Sequence, residues 1–320
     1  MRPQRDYRLA VADWCRSWIA PADLAIFHRF YRPPYGGGNQ FLLALRGALE
    51  QRGLRVLSNT LSTTTRTCLF NSFNFDIDQL KRTRRSACRM VHRLDGPIAA
   101  YRGTQHDYID RRLEQLNAEL ADATIFQSQY SLVAHQVAGL TFRHPTVIPN
   151  AVDPSIFYPM EKPLPRKIRL ISTSWSSNPN KGVATYQWLD RHLDWSRYEY
   201  TFVGNIQATF SHIRVLPPQD SQSVATLLRQ HDLYITASLH DPCSNALLEA
   251  LSCGLPAIYA RSGGHAELVG AAGLGFTLDE MIPDCVEQIV EEYDSFRAQI
   301  AIPSLDDVAG RYAEVLGLSA

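Results

Sequence analysis

Short apolar runs with strand character alternate with helix-period segments along most of this 320-residue chain, and the alternation stops once and then starts again. In the first half the strand-like runs are 24–27, 54–57, 68–71, 89–92 and 123–126, and helical spacing covers 40–51, 76–86, 106–120 and 131–140. Gly53 stands where the first of these helices needs a residue tolerant of a left-handed C-cap. Residues 146–150 close this half. The second half places strands at 167–173, 198–204, 215–218, 232–237 and 257–260, and helices at 183–192, 221–230, 245–253, 281–300 and 304–316. Between them, 151–166 contains four prolines and reads as a linker. Strands separated by helices form parallel sheets of βαβ units, and such sheets take ligands outside the carboxyl ends of their strands. The chain therefore predicts two α/β lobes, 1–155 and 166–303, with a final helix in 304–320. Residues 1–23 form an extra N-terminal segment, helical over 7–18, with Leu9, Val11, Trp14, Cys15 and Trp18 near helical spacing.

The length suits two domains, and no apolar run approaches the roughly 20 residues of a membrane-spanning helix. The N-terminus is basic and is followed by Asp13, Arg16 and Asp23, which leaves no signal-peptide core. The six cysteines, at 15, 68, 88, 243, 253 and 285, lack the spacing of a metal site or a disulfide scaffold and read as free thiols of a reducing cytoplasm. A net charge of zero hides an asymmetry. Residues 1–165 carry 21 Lys and Arg against 14 Asp and Glu, and the remainder 11 against 18, so the halves stand at +7 and −7. Two lobes with different tasks fit that split, as does attraction across a cleft. Lys81, Arg82, Arg84 and Arg85 make the densest basic run, suited to an anionic acceptor or the inner face of a membrane, with a solvated helix face as the plain alternative. Neither a motif nor an overall basic charge points to nucleic acid.

Chemistry concentrates in 240–264. Asp241 opens a tight polar loop, Pro242-Cys243-Ser244-Asn245. A helix carrying Glu249 follows, then Gly254-Leu255-Pro256, an apolar strand and Gly263-Gly264. A helix start presents unbonded amides and the positive end of the helix dipole, so Cys243, Ser244, Asn245 and Ala246 suit a phosphate. Glu249 lies about two turns further on, placed for ribose or sugar hydroxyls. Cys243 reads as a loop filler, or as an acidic thiol at the helix start.

This stretch resembles the retaining glycosyltransferases of the GT-B fold (group one), whose signature is Glu-x7-Glu in a Gly-rich loop and helix followed by a Gly-x-Pro strand entry. Asp241 stands in the first Glu position and Glu249 matches the second. The resemblance implies two Rossmann-like lobes facing across a cleft, with the donor in the second lobe and residues 304–320 packing back on the first. Other segments agree. Gly36-Gly37-Gly38 follows the first strand, where the family's glycines face the donor diphosphate. Lys181-Gly182 matches a Lys-Gly pair whose Lys neutralises the leaving diphosphate, but Ser174, Trp175 or Ser176 stands where the family has a second cation, Arg. The loss of that Arg weakens the catalytic reading unless Arg261 or a first-lobe Arg compensates. Val147-Ile148-Pro149-Asn150 matches the crossing between lobes, a structural role, with lining of the cleft floor by Asn150 as a further option. His92 and Asp95 follow the fourth strand, where the resemblance implies a donor-sugar contact; a packed core histidine is the alternative for His92. Gln127 and Ser128 face the acceptor or cap the next helix.

These readings imply transfer of a sugar from a nucleotide diphosphate sugar to an acceptor hydroxyl, with retention, no cofactor and no metal, in carbohydrate biosynthesis. His92, Asp95, Lys181 and Asp241 are the expected catalytic residues. Gly36, Gly37, Gly38, Lys181, the 243–246 loop and Glu249 are the expected donor contacts. A nucleotide-sugar-binding protein without transfer, and an epimerase on the same fold, remain open alternatives.

Overall fold

The computed structural model describes residues 5–19, 21–32, 36–161, 163–164 and 167–318. Parts of the expected 31–39 loop and of the 151–166 linker, and the Trp18 side chain, lie outside the described residues. Two compact units result: 1–35, 39–150 and 305–320 make the first, and 36–38 and 151–304 the second.

The first unit is built on six parallel strands: β1 (Leu24–Phe27), β2 (Val56–Ser58), β3 (Thr67–Asn71), β4 (Arg89–Leu94), β5 (Ala123–Phe126) and β6 (Pro145–Val147), in the order β2-β1-β3-β4-β5-β6. β1, β3 and β5 are buried at every position, as strands covered on both faces must be. The helices are α1 (Tyr7–Ile19), α2 (Gly37–Gln51), α3 (Ile77–Thr83), α4 (Ile98–Arg102), α5 (Asp107–Leu120) and α6 (Gln129–Val137). Leu80 of α3 and Leu116 and Leu120 of α5 pack on Ala25, Phe27, Cys68, Phe70 and Met90 from the sheet. The last helix of the chain (Leu305–Leu316) belongs to this unit, touches β3 and β4, and sets its buried Tyr312 ring 5.9 Å from Phe41 of α2.

The second unit repeats the plan with β7 (Ile168–Ser174), β8 (Tyr198–Gly204), β9 (Arg214–Leu216), β10 (Leu233–Thr236), β11 (Ala257–Ala260) and β12 (Gly273–Phe276), all parallel in the order β12-β11-β10-β7-β8-β9. Its helices are α7 (Val183–His192), α8 (Ser221–Gln230), α9 (Asn245–Ser252), α10 (His265–Val269), α11 (Ile282–Glu291) and α12 (Tyr293–Ala298). Side chains alternate between two cores along each strand. Leu170, Phe202, Ile235 and Ile258 join one with α7 and α11. Ile171, Val203, Tyr234 and Tyr259 join the other with α8 and α9.

Several boundaries depart from the sequence expectation. α2 begins at Gly37, so Gly37, Gly38 and Asn39 are helical rather than loop. α3 ends at Thr83, so Lys81 and Arg82 lie in its last turn and Arg84 and Arg85 beyond it, while Asp76 caps the start by accepting from the Gln79 amide at 2.8 Å. The run 281–300 is two helices, α11 and α12. β12 and the short α4 and α10 were not anticipated. β12 hides because Gly273 and Gly275 carry no apolar signal. A Cβ on Gly273 would run into the Ala257 carbonyl of β11, so the close strand approach needs the residue that masks the strand.

Helix α1 is held by charge. Asp13, fully buried, accepts from Arg46 Nη1 at 2.6 Å, Arg46 Nη2 at 3.0 Å and the Ser58 amide at 2.9 Å. Its carboxylate thereby ties α1 to α2 and β2.

Candidate functional site

In the second unit the chain builds β7, β8 and β9 outward in one direction, returns to the middle with β10, and continues outward the other way. Ligands of such sheets bind where that direction switches, outside the carboxyl ends of the two central strands. Here those are β7 and β10, and the loops leaving them carry Lys181 and Asp241. A short 3-10 turn, Pro179–Lys181, ends at Gly182 in a left-handed conformation (φ 85°), which also caps α7. A Cβ on Gly182 would collide with the backbone of Ala237 just past β10, so only glycine lets the two loops approach this closely.

That approach brings Lys181 Nζ to 2.7 Å from Asp241 Oδ2, with the two side chains 26% and 12% exposed. Burial pushes the Asp241 carboxyl up, but attraction from Lys181 and His265 and hydrogen bonds from Lys181 and the Cys243 amide outweigh it, leaving its pKa below the usual value. The Asp241 carbonyl accepts from the Gly264 amide at 2.9 Å, which fastens the loop to the turn after β11. His265 is fully buried there. Its Nδ1 lies 3.1 Å from the Ala260 carbonyl and its Nε2 has no hydrogen-bond partner among the described residues. Lone histidines inside helices give no sequence signal, and His265 was not anticipated.

Ser244 caps α9, accepting from the Leu247 amide at 3.4 Å. Within the described residues the Ser244 and Ala246 amides make no hydrogen bond, so they remain available to an anion at this helix start. Cys243 is buried in the apolar core under the loop, in keeping with a filler role. Glu249 sits in the second turn of α9, only partly accessible, and burial alone pushes its carboxyl up to about 8. A folded-state value raised above the ordinary 4.5 means that the native protein holds the proton more tightly than the unfolded chain, so stability falls as pH rises from about 4.5 to about 8. Glu249→Gln removes that term. It should raise stability at pH 8 by on the order of 3 kcal/mol and flatten the pH dependence of urea unfolding across this window. An unchanged slope would mean that the carboxyl is solvated.

Beside Lys181 a pocket of about 110 Å³ lies between the loops after β7 and β8, with Val183, Phe202 and Ile206 as apolar lining and Asn178, Asn205 and Gln207 as polar lining. Arg261 follows β11, next to the turn that holds the Asp241 loop. Its Nε donates to the Gly275 carbonyl at 3.0 Å, engaging it along β12. Ser174, one of the three residues at the expected Arg position, donates its hydroxyl to the Ser176 carbonyl at 2.9 Å. Gly36–Gly38 group with the second unit, at the start of α2.

In the first unit the switch lies between β1 and β3, and a polar network fills the strand ends. Arg93 is fully buried. Nη1 donates to Asn71 Oδ1 at 2.6 Å, Nη2 to Asn150 Oδ1 at 2.8 Å and Nε to the Tyr312 hydroxyl at 3.1 Å, and the guanidinium lies over Phe41. These bonds fix the amides: Asn150 Nδ2 donates to Gln127 Oε1 at 2.9 Å, and Gln127 donates to Asp95. Asn71 Nδ2 faces His28 Nδ1 at 3.3 Å, so that nitrogen accepts and Nε2 carries the proton, buried and without a partner among the described residues. Burial, with the Arg93 charge next, lowers the His28 pKa to about 4 and keeps it neutral. Asp95 also accepts from Ser72 Oγ at 3.2 Å, and its side chain is 40% exposed, an oriented carboxylate open to solvent.

Two expectations for this unit are corrected. His92 is in the core. It is fully buried, stacks 4.4 Å from the Phe70 ring, and sets Nε2 3.2 Å from the Ser72 carbonyl and Nδ1 3.2 Å from Asn117 Nδ2. Burial lowers its pKa to about 3, and neither nitrogen is left for a substrate. Asn150 is likewise interior, a partner of Arg93 and Gln127 rather than a lining residue. Ser128 caps α6, accepting from the Ser131 amide at 3.0 Å. Of the basic run, Lys81 pairs with Glu119 at 2.5 Å and Arg84 bonds the Glu119 carbonyl at 3.0 Å, while Arg82 and Arg85 are exposed. Arg93 and His28 escaped sequence reading, although an arginine inside an apolar strand signals a buried network.

Residues 197–294 match the family model described as Glycosyl transferases group 1. Among curated proteins none matches the chain in sequence. Solved structures match over nearly the whole chain at low identity. Sucrose-phosphate synthase from Thermosynechococcus elongatus has a TM-score of 0.74 at 13% identity, covering 94% of this chain and 100% of its own. Anabaena HepE, in complex with UDP and glucose, has 0.69 at 16%, covering 93% and 100%. WaaG, a glycosyltransferase involved in lipopolysaccharide biosynthesis, has 0.61 at 14%, covering 92% and 96%. The fold is thus the two-lobe α/β fold of GT-B glycosyltransferase structures.

Proposed function

We propose that the protein is a retaining glycosyltransferase that moves a sugar from a nucleotide diphosphate sugar to an acceptor hydroxyl. The observation that carries the reading is the Lys181–Asp241 pair at the switch point of the second unit, beside a helix start with available amides and followed by a buried, unbonded Glu249. The group 1 match covers Asp241 and Glu249, and HepE was solved with UDP and with UDP-glucose.

In this proposal Glu249 accepts from the ribose hydroxyls. The amides near Ser244 and Ala246 take the diphosphate, Asp241 takes sugar hydroxyls, and the pocket beside Lys181 receives part of the donor. As the bond from the anomeric carbon to the phosphate oxygen breaks, Lys181 neutralises the charge that develops. The acceptor oxygen bonds the same face of that carbon and its proton passes to the leaving phosphate, so neither a protein base nor a metal is required. His92 has no part.

The test is a panel of UDP-, GDP-, ADP- and dTDP-sugars. One donor should raise the melting temperature, and product NMR should show the donor's anomeric configuration preserved. Inversion would overturn the mechanism; stabilisation without turnover in any acceptor mixture would mark a binding protein. Ribose hydroxyls favour the Glu249 carboxylate, so nucleotide binding at pH 7 should release close to one proton, measured calorimetrically in buffers of different ionisation enthalpy. Glu249→Gln should release none.

A further inference from the structure

The described side chains of helix α1 reverse the usual pattern of burial. A surface helix ordinarily buries its apolar stripe and shows its charges to water. Among the described side chains of α1 the buried one is Asp13, held by Arg46 and the Ser58 amide, while Tyr7, Val11 and Trp14 are 64%, 60% and 56% exposed. Spaced at i, i+4 and i+7, these three side chains form one outward stripe.

The charge around the stripe is positive. Arg5 and Arg8 are exposed at its start. Of the acids described in α1 and just before it, Asp6 accepts from the Leu9 amide at 3.2 Å and Asp13 is spent on Arg46. Residues 1–150 carry 20 Lys and Arg against 12 Asp and Glu, an excess of eight positive charges. Three side chains cover at most a few hundred Å², below the roughly 800 Å² per partner of a stable protein interface, which argues against a second copy. Tyrosine and tryptophan settle at the headgroup level of a bilayer, with the ring in the acyl boundary and the polar atom in water. No described helix is long and apolar enough to cross a membrane, so the contact is a surface one.

We propose that α1 docks the protein on an anionic membrane surface, with Tyr7, Val11 and Trp14 entering the headgroup boundary and Arg5 and Arg8 meeting lipid phosphates. The docking is reversible and salt-sensitive, as expected for one short apolar stripe with a few cations. It does not depend on the reaction assigned to the second unit.

Vesicle co-sedimentation tests it, using phosphatidylcholine alone and with about 30 mol % phosphatidylglycerol. Wild type should bind the anionic vesicles about tenfold or more tightly than the neutral ones and lose most of that advantage in high salt. The double variant Val11→Gln with Trp14→Gln should bind about tenfold more weakly at an unchanged melting temperature. Ala12→Gln, about 100° around the helix from Val11, should bind as wild type. Equal binding by the double variant, or no vesicle binding by wild type, would overturn the proposal. A dimer abolished by the double variant would assign the stripe to a second copy, and a large fall in its melting temperature would place the stripe in the fold; either also overturns it.

Discussion

Arg93→Met lowers the stability of the first unit by about 3–5 kcal/mol, the largest single-residue effect expected here. Methionine fills much of the space but donates nothing. The carbonyl oxygens of Asn71 and Asn150 and the Tyr312 hydroxyl lose the donor that each now has, in an interior where Arg93 itself is fully buried. Each stranded acceptor costs on the order of 1–3 kcal/mol. Asp95 contributes less, because its half-exposed carboxylate can rehydrate. The consequences run beyond stability: Asn71 and Gln127 would no longer be held in one orientation, so His28 could change tautomer and Asp95 would lose part of its bracing. Urea unfolding read from this unit's signal checks the prediction. A loss below about 1 kcal/mol would show that water replaces the guanidinium and that the network is less closed than its geometry implies.

Lys181→Ala should lower the turnover number by about 100- to 1000-fold while leaving the protein folded. Lys181 is the cation paired with Asp241, and the 174–176 segment carries no cation to substitute for it. Charge on the leaving phosphate grows only as the bond breaks, so the loss should fall on the turnover number more than on the Michaelis constant. A secondary effect is expected at Asp241. Without Lys181, the burial that pushes its carboxyl up meets less opposition, so the variant should lose activity toward acidic pH sooner than wild type. Lys181→Arg should recover part of the rate, because it restores the charge without the same reach. Wild-type turnover in Lys181→Ala would remove this residue from the mechanism.

The two-unit plan was legible because the strands are buried on both faces and therefore read as continuous apolar runs between helices, as at 24–27, 123–126 and 257–260. In the proposed second-unit site the loop, the helix start and the acid two turns on are consecutive in the chain, whereas Lys181 is brought to Asp241 by the adjacency of β7 and β10. The polar network of the first unit was not legible. Its members, His28, Asn71, Arg93, Asp95, Gln127 and Asn150, come from separate strand ends and meet only through the order β2-β1-β3-β4-β5-β6. Within it, His92 and Arg93 are neighbours on one strand, and the alternation of side chains sends one to each face. His92 packs on Phe70 and Arg93 lies over Phe41. The resemblance offered His92 or Asp95 for this place; the pleat puts Arg93, not His92, in the polar cluster with Asp95. β12 was missed for a different reason, since the glycines that permit its close approach to β11 carry no hydrophobic pattern.

The most direct test of the central claim is nucleotide release from the same four classes of nucleotide sugar, measured for wild type, Lys181→Ala and Glu249→Ala. One donor class should give release that grows with added acceptor, falls about 100-fold or more in Lys181→Ala, and in Glu249→Ala is recovered only at much higher donor concentration. Release that both variants leave unchanged would contradict the assignment of the donor to the second unit. The absence of release and of binding with every donor would contradict glycosyl transfer itself.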